Sequence, residues 1–115
     1  MPSSPMRHWG LAVVRGRSML PTLYDGDRLL VQHGATPRQG QLVVCRLPGS
    51  GVVAVKRATL REPDGWWVDS DNPAEGVDSS TVGTVPDAAV LAVVRLRLWP
   101  FWRSRRRGRA RGHAT

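Results

Sequence analysis

Hydrophobic positions fall into short clusters cut by Gly- and Pro-rich breaks. Trp9 to Arg15 is β-like, being rich in β-branched and aromatic residues. Gly16 to Asp27 carries Gly16, Pro21, Gly26 and two acids, and reads as a loop or series of tight turns. Strand-like runs follow at Arg28 to Gln32, Gln41 to Leu47, Val52 to Leu60, Trp66 to Val68 and Ala89 to Leu98. Pro48 to Gly51 reads as a hairpin connection, while Gly34 to Gly40 and Glu62 to Gly65 read as turns. Asp69 to Gly83 reads as a long polar loop. No repeat is visible and no helical period exceeds two turns. Many short strands at close spacing predict an all-β fold, a small barrel-like or coiled antiparallel domain over residues 7–100.

Composition narrows the picture. With 115 residues, 41% of them hydrophobic, the chain has room for one core. The longest apolar runs fall far short of the ~20 residues a spanning helix needs. A short N-terminal apolar run is broken by Arg15 and Arg17, which makes a poor signal peptide and sets a cytoplasmic location as the default. Six of the 17 Lys and Arg residues fall within 103–115, which holds no acid. The remainder carries eleven basic against nine acidic residues and is near neutral, although the whole chain is +8. Residues 1–6 and 101–115 are expected to be disordered, the second as a solvated arginine tail. Aromatic residues beside those arginines suit weak contact with an anionic membrane, and no element that could read nucleic acid accompanies them.

The candidate chemistry centres on one lysine. Lys56 is the only lysine; the other sixteen basic residues are arginine, which does not act as a neutral base. On a strand of period two, Val52, Ala54, Lys56, Ala58 and Leu60 share one face, and Val53, Val55, Arg57 and Thr59 the other. Lys56 is then the one polar group on an apolar face, where burial disfavours the ammonium and lowers the pKa. Ser18 lies in a turn stiffened by Gly16 and Pro21, a setting suited to a nucleophile with a nearby backbone N–H for the oxyanion. Cys45, alone in an apolar run, reads as a buried small hydrophobe and excludes an internal disulfide. Asp69, Asp71, Asn72 and Asp78 lack the ligand spacing of a calcium loop, so no metal site is expected. His8, His33 and His113 lie apart and give no anchored histidine for a Ser-His-Asp triad.

Four boxes in order over residues 12–88 resemble the type I signal peptidase superfamily of Ser/Lys peptidases. They are Gly16-Arg17-Ser18-Met19-Leu20-Pro21-Thr22-Leu23, Gly26-Asp27-Arg28-Leu29-Leu30-Val31, Val55-Lys56-Arg57, and Asp71-Asn72 with Asp78-Ser79. The resemblance implies a mostly β fold, a Ser18/Lys56 dyad, acyl-enzyme chemistry and no cofactor. Gly16, Arg17, Met19 and Pro21 would then lie at the oxyanion and substrate positions, with Asp71, Asn72, Asp78 and Ser79 in support. Within the superfamily, the chain is most similar to small proteases that mature nickel-type superoxide dismutase. That implies a precursor with an N-terminal leader as partner. The chain departs from the pattern at four places. Gly16 stands where a hydroxyl donor is common, Gly76 where a serine orients the lysine in some members, Ser70 in place of the late box's Gly, and Ser80 in place of its closing Arg. Two alternatives stand beside this reading. One is a repressor-type self-cleaving protein, whose usual Ala-Gly or Cys-Gly scissile dipeptides do not occur in the chain; the other is a non-catalytic β binding module.

Overall fold

The computed structural model describes residues 8–75, 77 and 79–99. The expected domain edges at 7 and 100, the segment 1–6, the tail 101–115, Gly76 and Asp78 lie outside them. Seven strands form one antiparallel sheet curled into a half-barrel: β1 (His8–Val13), β2 (Arg28–His33), β3 (Leu42–Arg46), β4 (Val53–Glu62), β5 (Gly65–Asp69), β6 (Val85–Pro86) and β7 (Val90–Trp99). Their order is β1-β2-β7-β3-β4-β5-β6, so the last strand in sequence is central. The all-β expectation holds.

Strand periodicity explains the packing. Val43 and Cys45 of β3 and Val93 of β7 join one core with Ala58, Trp66, Val68 and Val85. Their neighbours Val44 and Ala92 join a second, with Val14, Met19, Leu23, Leu29 and Val31. Adjacent residues entering different cores means that β3 and β7 are covered on both faces. This is why Leu42 to Cys45 and Val90 to Val94 read as unbroken apolar runs. The second core is roofed by the 14–27 loop, pinned at its neck by Val14 N–H to Asp27 O and Gly26 N–H to Val14 O.

Three expectations need correction. The Asp69 to Gly83 loop gives way at its end to a one-turn helix, α1 (Ser79–Val82), and is followed by β6. Leu60 does not share the lysine face. The β4–β5 register slips between Ala58 and Leu60, so Ala58 opposes Val68 but Leu60 opposes Trp67. That β-bulge turns Leu60 outward, 51% exposed. The histidines are not all apart either: cross-strand partners His8 and His33 stack with ring centroids 4.7 Å apart.

Candidate active site

Lys56 projects from β4 between Ala54 and Ala58, opposite Val43 of β3, and is 2% exposed. The strand face anticipated from period two is therefore real from Ala54 to Ala58. The flanking Ala54 and Ala58 methyl groups give the amine no polar partner. Lys56 Nζ instead donates to Ser70 Oγ at 2.9 Å. Cys45, two residues along β3 from Val43 and opposite Ala54, lies near this lysine. Burial pushes its thiol up to about 11, with the Lys56 charge pulling in the opposite direction.

Ser18 sits in the loop between β1 and β2, half-buried. The loop's path follows from two apolar anchors, Met19 and Leu23, whose side chains sink into the second core. Leu20 N–H donates to Arg17 O and Leu23 N–H to Met19 O, which gives Ser18 a tight turn rather than a loose one. Gly16 takes a left-handed φ of 83°, open to glycine at little cost, and its N–H donates to Asp25 Oδ1 at 2.7 Å. The Leu20–Pro21 peptide is cis. Asp27, fully buried, accepts from Tyr24 N–H at 2.9 Å and faces Arg97 at 3.5 Å. The second sequence box thus closes the serine loop.

The segment 69–72 connects these two parts. Asp71 accepts from Arg57 Nε at 2.9 Å and Nη2 at 2.7 Å, and from Thr22 Oγ1 at 2.5 Å. The guanidinium hydrogen bonds hold its carboxyl below the ordinary value, with partial burial opposing them and Thr22 adding to them. Asp71 N–H reaches Met19 Sδ at 3.4 Å. Asn72 N–H donates to Ser18 O at 2.8 Å, and Asn72 Nδ2 to Arg17 O at 2.9 Å. One short segment therefore holds the Lys56 amine through Ser70 and the Ser18 backbone through Asn72. Arg17 is exposed and paired with Glu75 at 3.0 Å. Ser79 is buried and accepts from Val68 N–H at 2.8 Å, so it fastens α1 to β5 rather than joining this cluster.

A cleft of about 460 Å³ opens beside Ser18. The edge strand β1 forms one wall through Leu11 and Val13, and Val44, Val53 and Val55 form another, with Met19 near Ser18. The cleft was not anticipated from sequence. Its signal was present in the second face of β4, where Val53 and Val55 alternate with the lysine face. Edge strand and apolar wall together suit an extended peptide added as a further strand. Among the described residues, no group of three or more His, Cys, Asp or Glu side chains could hold a metal ion, and no helix is long and apolar enough to cross a membrane.

Comparison with known proteins gives one family. A family model described as Peptidase S24-like matches residues 3–94, which takes in every residue of the cluster and the cleft. No curated protein matches the chain.

Proposed function

The chain belongs to the S24-like peptidase family, whose type is the serine-peptidase hydrolase, and from there we propose that it is an endopeptidase working through a Ser18/Lys56 dyad. The observation that carries this reading is the buried Lys56 amine, held on the same short segment that holds the Ser18 turn. Neutral Lys56 takes the proton from Ser18 Oγ as the oxygen attacks the scissile carbonyl. The resulting ammonium returns that proton to the leaving amine, which departs and leaves an acyl-serine. Lys56, neutral again, draws a proton from water; the hydroxide attacks the ester, and Ser18 recovers its hydrogen.

Gly16 has no side-chain donor, and its N–H is engaged by Asp25. The Ser18 N–H is the donor assigned to the oxyanion. The peptide would lie extended between β1 and Val53–Val55, with aliphatic side chains in the cleft. The substrate is a precursor protein that loses an N-terminal leader, and the resemblance of Val55 to Ala58 and of Asp71 to Ser79 supports the nickel superoxide dismutase precursor. A new N-terminal amine would there be free to ligate nickel.

Co-expression of that precursor with this chain, followed by N-terminal sequencing of the dismutase, tests the assignment. The expected result is a shortened dismutase with the wild type and an intact one with Ser18→Ala. An intact dismutase in both would remove this substrate, and a falling mass of the purified peptidase itself would favour self-cleavage.

A further inference from the structure

Lys56 is a long side chain with four rotatable bonds, and both ends of its travel matter to a base. Its walls on β4 are the methyl groups of Ala54 and Ala58. The hydroxyl that meets the amine belongs to Ser70, immediately beyond β5. Ser70 is itself fixed from both sides against β4. On one side, Asp69 Oδ2 accepts from Thr59 Oγ1 at 2.9 Å; on the other, Asp71 takes two guanidinium hydrogen bonds from Arg57. The next residue, Asn72, carries the Ser18 backbone. The hydroxyl therefore stands on a braced frame where the lysine strand meets the serine turn. Gly76, where the resemblance would seek a lysine-orienting serine, has no side chain to offer.

We propose that Ser70 is the positioning residue for Lys56, holding the amine through one N–H so that its lone pair remains available to the Ser18 hydroxyl. The role rests on Lys56 being the general base. Ser70 forms and breaks no covalent bond. The neutral amine donates one hydrogen to Ser70 Oγ and keeps its lone pair. After the proton arrives from Ser18, the ammonium still donates there, now as a charged and stronger donor. The contact thus gains strength as charge develops on the lysine, which lowers the barrier rather than tightening ground-state binding.

The test uses the full chain and the nickel superoxide dismutase precursor, with a second readout independent of turnover. Ser70→Ala should lower kcat about 10- to 100-fold with KM unchanged, in keeping with loss of a hydrogen bond to a charged group. Losing an acceptor disfavours the ammonium, so the acid limb of the kcat profile should move to lower pH. Ser70→Thr, which restores a hydroxyl, should recover most of the rate. Because Lys56 is the only lysine, a chain labelled with 15N-lysine gives a single Nζ resonance. Its titration midpoint should fall in Ser70→Ala and stay put in the distant control Ser50→Ala. Ser70→Gly removes the hydroxyl without adding bulk and serves if the alanine variant does not fold. An unchanged midpoint with unchanged kcat would overturn the proposal. Cleavage that survives Lys56→Arg would instead sink the dyad, and the Nζ titration would still decide whether Ser70 holds the amine.

Discussion

At the scale of single residues, burial and hydrogen bonding set opposite chemical fates for Cys45 and Asp71. The Cys45 thiol, raised to about 11 by burial, carries almost no thiolate at neutral pH. Iodoacetamide at pH 7.5 should leave it unmodified in the folded chain and label it in denaturant, as read by intact mass; rapid labelling of the native protein would contradict its burial. Asp71 behaves the other way, since its carboxyl is held below 3.8 by Arg57. A carboxyl with a lowered folded pKa stabilises fully above its unfolded value and loses that contribution as pH falls through the folded one. Thermal melts should therefore show wild type losing an advantage over Asp71→Asn below about pH 4, after leading by about 1–3 kcal/mol at neutrality. An identical difference at pH 7 and pH 2.5 would count against the Arg57 pair. The burial of Lys56 was legible, because Ala54 and Ala58 flank it at period two and Ala58 lies before the bulge. Its partner was not. Ser70 meets the amine across a turn and through a strand register, neither of which a single run of residues encodes.

At the scale of elements, the β4–β5 hairpin decides most of the site. Its bulge after Ala58 ends the lysine face and sends Leu60 to solvent. Alternation alone cannot reveal such a slip, because Thr59 and Leu60 fit a strand in either phase. Both α1 and β6 escaped the sequence for a related reason: four residues and two residues are too few to display a period. Their positions follow instead from contacts, Ser79 on Val68 and Val85 beside Trp66. Gly65 makes that second contact feasible. A Cβ there would run into the Val85 carbonyl oxygen, backbone that cannot step aside without breaking the β5–β6 pairing. Gly65→Ala should lower the melting temperature by several degrees and speed amide exchange at Trp66; a melt equal to wild type would mean that β6 does not pack as described.

At the scale of the whole molecule, the last strand holds the sheet together. β7 pairs with β2 on one side and β3 on the other, so without it the β1–β2 hairpin and the β3–β6 group share no strand pairing. A chain ending at Pro86 should fail to fold, with circular dichroism lacking the full-length β signal, whereas a native-like spectrum would refute the central role of β7. The all-β class and six of the seven strands were readable from the turn spacing, but this insertion was not, since order within a sheet depends on pairings far apart in sequence. The fold sets the serine turn beside an apolar cleft and links it through residues 70–72 to the buried lysine, and endopeptidase activity is the proposal that joins them. Its most direct test is the cleavage rate of the nickel superoxide dismutase precursor by purified wild type and by Lys56→Arg, with folding of both verified by circular dichroism. Arginine keeps the charge and the donors but cannot accept the Ser18 proton. Wild type should cleave, and the variant should lose at least about 10²–10⁴-fold of that rate; equal rates would contradict a Ser18/Lys56 dyad.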